Sequence, residues 1–218
     1  MKHMLDCHCH ILPAVDDGAA DLQQSLAMLQ AAKQLGITEI IATPHIKHNP
    51  VPWNAIQEAF ALLQPEAAKQ NMTLRLGCEF YAPLLSEISL NDMQQFCIDG
   101  TNRLLIEFHP RYLPNHLTAF LNELRCRNIV PIIAHPERYS IVQDHPAILQ
   151  DCVQMGCALQ INGRSISANP FDKCSVTAKK LLKLYPDAFL SSDAHCPEHY
   201  QGLTKAQQKY KRMRRQLP

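Results

Sequence analysis

The sequence predicts an α/β protein in which parallel strands alternate with covering helices. Seven short segments rich in Ile, Val, Leu and Phe alternate with segments whose apolar residues repeat at helical spacing. No linker or break in composition divides the 218 residues, so we expect one domain over residues 1–218. This alternation favours a parallel sheet, which could be either an open doubly wound sheet or a closed, distorted barrel.

The predicted strands are apolar runs, and the predicted helices follow them. The strands cover residues 4–10, 37–45, 73–81, 103–109, 129–136, 157–163 and 188–195. The first helix begins near Asp21 and ends before Gly36, with Leu22, Leu26 and Leu29 on one face. Further helices are expected around residues 53–63, 117–124, 148–153 and 175–185, and a polar, basic helix follows the last strand.

Composition and charge exclude several classes of protein. The formal net charge is +1, so no global field attracts nucleic acid or an anionic membrane. No apolar run approaches the roughly 20 residues that span a bilayer, and the start of the sequence lacks the pattern of a secretory signal. Nine cysteines, an odd number, predict reduced thiols rather than a disulfide framework. We therefore expect a cytoplasmic protein that neither binds nucleic acid nor inserts into a membrane.

Histidines and carboxylates end six of the seven predicted strands. They are His8, His10, His45, Glu79, Glu107, His109, His135, Asp193 and His195. Alternate residues of a strand share a face, and the carboxyl ends of strands in a parallel barrel meet at one rim. Each residue alone could be a hydrogen-bonded or ion-paired structural residue. Together they would cost too much free energy to bury without a cation, so the set predicts a metal centre.

The mixture of candidate ligands indicates the chemistry of that centre. Imidazole and carboxylate without clustered thiolate suit Mn, Fe or Zn in an incompletely filled catalytic site. Such a site generates hydroxide from water and suits hydrolysis of phosphate esters or, less specifically, of amides. Cys7 and Cys9 alternate with His8 and His10, so we expect both thiols in the layer between strands and helices.

Several motifs occur in a characteristic order: DCHCHILPAVDDGA, IIATPH, GCEFY, LLIEFH, IIAHPERY, QING and SSDAH. They resemble the PHP (polymerase and histidinol phosphatase) superfamily, and most closely its bacterial protein tyrosine phosphatases of capsule and exopolysaccharide operons. The resemblance runs from about residue 5 to residue 195. It implies a distorted (β/α)7 TIM-like barrel with up to three metal ions, most suitably Mn²⁺, at the C-terminal rim of the strands.

The resemblance also assigns roles to individual residues. It implies one metal held by His8, His10, Glu79 and Asp193, a second by Glu79, Glu107 and His135, and a third by Asp17, His45 and His195. Asp17 is preferred over Asp16 because of its spacing from His8, although both could simply form a turn before Gly18.

Arg138 matches a family arginine that contacts phosphate, and Arg164 is a second candidate by its position. The implied reaction is in-line attack of a metal-bridging hydroxide on phosphotyrosine, with Glu107 and Asp193 acting as ligands and Arg138 stabilising charge. The implied substrate is a phosphotyrosine protein, such as a bacterial tyrosine autokinase that controls capsule or exopolysaccharide synthesis.

One departure from the family pattern concerns the segment after SSDAH. Relatives usually carry an arginine there that helps to hold phosphate, whereas this sequence reads CPEHYQG, with Tyr200 and no arginine nearby. Another basic group could substitute, or the substrate preference could differ. A PHP-type small-molecule phosphoesterase, acting on a histidinol-phosphate-like compound or a nucleotide, is therefore the alternative enzyme.

Two further readings remain as alternatives. The spacing of Cys97 and Arg103 fits the Cys-x5-Arg loop of thiol phosphatases, but the segment precedes a strand instead of following one. A non-catalytic regulator could use the basic segment 205–215 to dock an acidic partner or a membrane surface. The simpler interpretation of that segment is a solvated helix with Ala206, Tyr210 and Met213 facing inward.

Overall fold

Nine parallel strands form two sheets in the computed structural model, which describes residues 4–114 and 116–210. The first sheet has the order β1-β2-β4 and contains β1 (Leu5–Cys9), β2 (Glu39–Ala42) and β4 (Thr73–Leu76). The second has the order β3-β5-β6-β7-β8-β9 and contains β3 (His45–Ile46), β5 (Glu79–Tyr81), β6 (Arg103–Glu107), β7 (Val130–Ala134), β8 (Ala158–Asn162) and β9 (Phe189–Ser191). The predicted parallel α/β class is confirmed.

The second and third predicted strands are each divided in two, and the division carries the chain from one sheet to the other. Between β2 and β3 stands Pro44, which has no N–H to donate to a sheet ladder. Between β4 and β5 stands Gly77, where a Cβ would press against side chains of Ile98 and Ile41. The ladders among the described residues therefore form two sheets rather than one continuous closed barrel.

Eight α-helices connect and cover the strands of the described chain. They are α1 (Leu22–Gln34), α2 (Trp53–Lys69), α3 (Leu117–Cys126), α4 (Ser140–Asp144), α5 (Gln150–Gln154), α6 (Gly163–Ser167), α7 (Lys173–Leu184) and α8 (His199–Tyr210). The predicted limits of α1 are confirmed: Asp21 accepts a capping hydrogen bond from the Gln24 N–H at 2.8 Å, and Gly36 follows with φ of 80°.

The predicted inward face of the final helix is supported where the structure describes it. Ala206 of α8 is fully buried, and Tyr210 packs partly buried against the core. Residues 211–215 of the basic segment, including Met213, lie outside the described residues.

Two clusters of buried apolar side chains fill the molecule, and the two cysteines of β1 lie in different clusters. The smaller cluster joins side chains from five strands, among them Cys7, Ile41, Leu105 and Ile132. Cys9 belongs to the larger cluster, between strands and helices. The expectation that both thiols lie in this outer layer is wrong for Cys7, because the register of β1 shifts between Asp6 and Cys9 and breaks the simple alternation.

The first and last strands meet through side-chain and backbone hydrogen bonds. The buried carboxylate of Asp6 accepts from both Ser191 and Ser192, including the Ser192 N–H at 2.9 Å. The Asp193 N–H donates to the carbonyl of His8, also at 2.9 Å. These bonds bring the DCHCH and SSDAH motifs side by side.

The described residues contain no helix with both the length and the hydrophobicity to cross a membrane. All nine cysteines lie within the described part of the chain, and none forms a disulfide there. Six of them are buried, which agrees with the expected reduced thiols.

Candidate metal centre

Four histidines converge on the buried carboxylate of Glu79. Its Oε2 lies 3.2 Å from Nε2 of His8, 3.2 Å from Nε2 of His10 and 3.0 Å from Nδ1 of His45. Its Oε1 lies 2.8 Å from Nε2 of His135. The four imidazoles come from β1, β3 and the end of β7, so the carboxyl ends of the strands do meet as the sequence predicts.

A second carboxylate, that of Asp193 just after β9, contacts two of these histidines, His8 and His10. Its Oδ1 lies 3.4 Å from Nε2 of both His8 and His10. Asp193 has a φ of 49° and His135 a φ of 30°, both in the left-handed region that non-glycine residues rarely adopt. Backbone strain of this kind concentrates at functional sites, where the surrounding structure enforces it.

The outer part of the cluster contains Asp17, His45 and His195. Oδ1 of Asp17 lies 3.3 Å from Nε2 of His45 and 3.5 Å from Nε2 of His195. The neighbouring Asp16 has a different role, since its Oδ2 is 2.8 Å from Nδ1 of His10 and accepts from the His45 N–H at 3.0 Å. Asp17 is 67% exposed at its side chain and therefore faces the open side of the site.

Gly18 allows this turn to close. A Cβ there would overlap the carbonyl group and Cβ of His10, so the Asp-Asp-Gly segment can fold back onto β1 only with glycine at its end.

Glu107 and Lys47 form a further part of the site, next to His135 and His45. Oε1 of Glu107 lies 3.8 Å from Nε2 of His135, and its Oε2 lies 3.9 Å from Nδ1 of His45. Lys47 places its ammonium 3.5 Å from Oε2 of Glu107 and 2.9 Å from Nε2 of His45. Lys47 is a site residue that the sequence reasoning missed, although it stands two positions after His45 and strand alternation could have indicated it.

Burial and mutual charge shift the pKa values of the central groups. Burial by itself would lower the pKa of His8, but the charges of Glu79 and Asp193 outweigh it and raise that pKa to about 9. The pKa of His10 is raised by its contacts with Asp16, Asp193 and Glu79 despite burial. Burial likewise opposes ionisation of Glu79 and Asp193, yet the facing histidines hold both pKa values well below the usual range.

The polar atoms of the cluster fit a bound cation. Four buried atoms of the cluster have no geometrically acceptable hydrogen-bond partner, namely Nδ1 of His45, Nδ1 of His135, Oε2 of Glu79 and Oε2 of Glu107. Nδ1 of His45 and Oε2 of Glu79 are only 3.0 Å apart but are not aligned for a hydrogen bond. Such atoms are rare unless a ligand or ion satisfies them. Four groups bring potential ligand atoms within 4.8 Å of one another: His10, Asp17, His45 and His195; His8, His10 and Asp193; His8, Glu79 and His135; His45, Glu79 and Glu107. The donor set of imidazole and carboxylate is one that divalent transition metals bind.

The sixth predicted strand, which carries no acid or histidine at its end, corresponds to β8 in the structure. Its side chains form hydrogen bonds with the candidate metal ligands. Oε1 of Gln160 accepts from Nδ1 of His8 at 2.8 Å, which leaves Nε2 of that ring to face the carboxylates. Nδ2 of Asn162 donates to Oδ2 of Asp193 at 2.6 Å. The buried Glu137 accepts from the Asn162 N–H at 2.9 Å and so holds the strand end in place. The sequence reasoning assigned no role to these three residues.

A cavity of about 250 Å³ opens above the cluster, and basic side chains line it. Arg138 reaches 3.2 Å from Oδ2 of Asp193, and Arg164 reaches 3.8 Å from the same oxygen. His199 also lines the cavity, and its Nε2 lies 2.9 Å from Nη1 of Arg164. Tyr200, in contrast, is buried with its hydroxyl 3.1 Å from Sγ of Cys9. The sequence reasoning missed His199 because a short motif does not reveal where α8 begins.

Three residues from the sequence reasoning lie apart from the cluster. His109 stacks on Tyr112 with ring centroids 4.1 Å apart and is not among the groups of potential ligands. Cys97 is buried, which raises the pKa of its thiol to about 11, and Arg103 opens β6 at the end opposite Glu107. This arrangement does not form the phosphate-binding loop of a thiol phosphatase.

The chain is similar over most of its length to known bacterial proteins. A family model described as capsular polysaccharide synthesis, CpsB/CapC, matches residues 4–216. The tyrosine-protein phosphatase YwqE of Bacillus subtilis is 34% identical over 199 residues, covering 88% of this chain and 77% of the relative.

Solved structures give the same picture. A crystal structure from a study of YwqE from Bacillus subtilis and CpsB from Streptococcus pneumoniae, described there as metal-dependent tyrosine phosphatases, matches with a TM-score of 0.82 at 31% identity over 94% of this chain and 87% of the other. A histidinol phosphate phosphatase from Lactococcus lactis matches with a TM-score of 0.52 at 16% identity over 95% and 92% of the two chains. That second likeness is one of fold alone.

Proposed function

The chain belongs to the CpsB/CapC family of capsular polysaccharide synthesis proteins, and on that premise we propose that it is a metal-dependent protein-tyrosine phosphatase, a phosphoric monoester hydrolase. The observation that carries the proposal is the convergence of four histidines on Glu79 beneath a cavity lined by basic side chains. A cluster of this kind can bind cations below and an anionic phosphate above.

Nine residues would hold up to three ions. The first ion would be held by His8, His10, Glu79 and Asp193, the second by Glu79, Glu107 and His135, and the third by Asp17, His45 and His195. The close contacts within each of the three sets support this division. The sets also adjoin one another, because His10 lies near Asp17, His45 and His195 and because His45 lies near Glu79 and Glu107. The ion in this proposal is Mn²⁺, which carboxylates suit, with Fe and Zn, which imidazole suits, as alternatives.

The chain's own residues would bind and orient the ester. When bound, the ions lower the pKa of water and offset the negative charge of the phosphate. Arg138 and Arg164 donate to phosphate oxygens from the cavity wall, and their fixed positive charge stabilises the charge that spreads over those oxygens in the transition state. Lys47 supplies a further donor on that wall, and His199 lines it beside Arg164, where the sequence lacks the arginine expected after SSDAH.

The roles of Glu107 and Asp193 are those of ligands rather than of a proton donor. A phenolate leaves with a pKa near 10, so a tyrosine ester needs little acid assistance compared with an alkyl ester. This difference in leaving group fits an aryl phosphate as the substrate.

We also propose that the two sheets are parts of one distorted (β/α)7 barrel. The chain passes directly from β2 to β3 and from β4 to β5, and Cys9 at the end of β1 forms a parallel bridge with Ala194, which follows β9. The phosphorylated partner would be a bacterial tyrosine autokinase that controls capsule or exopolysaccharide synthesis in the cytoplasm, in keeping with the family description.

Hydrolysis of a phosphotyrosine peptide tests the proposal. Activity should disappear after chelation and return with Mn²⁺. His45→Gln should lose most of it, whereas His48→Gln, an exposed histidine three positions later, should keep it. A phosphoserine peptide and histidinol phosphate serve as competing substrates. Activity that survives chelation would refute the metal mechanism, and a preference for histidinol phosphate would assign the protein to small-molecule phosphoesterases. Binding of the kinase without hydrolysis would indicate a regulator.

A further inference from the structure

We propose that Tyr112, stacked on His109, forms an aromatic surface that binds the ring of the phosphotyrosine substrate. We call Tyr81, His109 and Tyr112 the aromatic rim. The inference rests on the proposed phosphatase function and concerns the organic half of the ester, which the metal ligands and arginines do not contact.

The rings of the aromatic rim are held in place and partly exposed. The rings of His109 and Tyr112 are 4.1 Å apart at their centroids and 20° from parallel. The Arg111 N–H donates to Nδ1 of His109 at 3.2 Å and so fixes the imidazole. Tyr112 nevertheless remains 54% exposed. A large ring that is ordered without being buried can stack on a ligand at little further cost in conformational entropy.

Strand register places the aromatic rim beside the cavity. In the ladder between β5 and β6, Tyr81 stands opposite Glu107, a residue that lines the cavity. His109 follows Glu107 by two positions along the chain.

Hydrogen bonds connect the loop after β6, which contains His109 and Tyr112, to the segment that carries Arg138. The Phe108 N–H donates to the hydroxyl of Tyr139 at 3.0 Å. The Ser140 N–H donates to the carbonyl of Pro110 at 2.8 Å. The loop that carries His109 and Tyr112 therefore follows Glu107 directly and is attached to the segment after Arg138, and Glu107 and Arg138 both line the cavity. The ring of an ester whose phosphate contacts Arg138 would emerge near this loop.

The aromatic rim would select among substrates because only one half of the ester, the organic group, differs between phosphotyrosine and phosphoserine. The phosphate is common to all monoesters, so contacts to it do not separate phosphotyrosine from phosphoserine. A ring that stacks on Tyr112 gains attraction only if the ester is aromatic. Such a contact selects among substrates by an interaction that the alkyl ester cannot make.

Inhibition by two non-hydrolysable phosphonates tests the inference without the influence of the leaving group. The metal-loaded protein is assayed with phenylphosphonate and methylphosphonate as competitors. Tyr112→Ala should weaken inhibition by phenylphosphonate about three- to tenfold and leave methylphosphonate unchanged. Tyr112→Phe should behave like the parent protein. Phe171→Ala, which removes a 90% exposed aromatic ring elsewhere, should change neither constant.

The outcomes separate this inference from the proposed function. If Tyr112→Ala changes both constants equally, or neither, while metal-dependent hydrolysis remains, the aromatic rim does not bind the ring and only the present inference is wrong. If the parent protein hydrolyses no phosphate monoester with metal and binds neither phosphonate, both the proposed function and the inference are refuted.

Discussion

Metal binding should displace a proton from His8, and the structure gives the size of the effect. In the metal-free protein the carboxylates of Glu79 and Asp193 raise the pKa of His8 to about 9. The ring is therefore almost fully protonated at pH 7, whereas a metal ligand must be neutral. Removing the proton at pH 7 costs about 3 kcal/mol, so the apparent metal affinity should rise at least about tenfold per pH unit between pH 7 and pH 9. The raised pKa of His10, a ligand of the same ion, acts in the same direction.

The same shift predicts how the stability of the chelated protein depends on pH. The folded-state pKa of His8 lies above the unfolded value of 6.5, so its protonation stabilises the fold fully below that value. This stabilisation, about 3 kcal/mol as an upper bound, should be lost as the pH rises through about 9. The metal-loaded protein should show a smaller loss, because the ion replaces the proton.

Two measurements examine this prediction. Imidazole resonances of the chelated protein, with that of His8 assigned from a His8→Gln variant, should give a midpoint near 9. Calorimetric titration with Mn²⁺ in two buffers of different ionisation enthalpy should show release of at least one proton at pH 7. A midpoint near the ordinary value of 6.5, or affinity that does not change between pH 7 and pH 9, would refute the reasoning.

Three other substitutions have expected outcomes. Asn162→Ala removes the 2.6 Å hydrogen bond to Asp193 and should weaken Mn²⁺ binding tenfold or more in a fluorescence competition assay, whereas unchanged affinity would deny the supporting role. Cys97→Ser should keep full phosphotyrosine hydrolysis, since that thiol is buried with a raised pKa, and loss of activity in a folded protein would revive the thiol mechanism. Gly18→Ala should lower the thermal midpoint and metal content together because the new Cβ overlaps His10, and a normal value of either would contradict that coupling.

The strands and their carboxyl ends could be read from the sequence because they depend on the local pattern of apolar residues. They correctly bring His8 and His10 together, with Nε2 atoms 3.2 Å apart, and bring Asp193 to them from the other end of the chain. The distinct surroundings of Asp16 and Asp17 depend on how one turn folds over His10, and no periodicity records that.

Other features were hidden because they depend on packing between distant segments. The division of the second and third strands follows from Pro44 and from the crowding at Gly77, which involves Ile98 more than twenty positions later. The roles of Gln160 and Asn162 were missed for a different reason. Amides are common on strands, and only their contacts with His8 and Asp193 distinguish them from ordinary polar residues.

The hydrogen bonds that join β1 to the segment at β9 have a consequence for the order in which the chain folds during its synthesis. Asp6 and the Ser192 that donates to it are 186 positions apart, and the ligands next to them come from the same two segments. Joining such distant segments is among the last steps of folding, because a large loop must close before the contact gains anything. A nascent or truncated chain that has not yet reached Asp193 and His195 therefore lacks a ligand of two of the three proposed ion sites, and the complete metal centre can form only after the last strand has been translated.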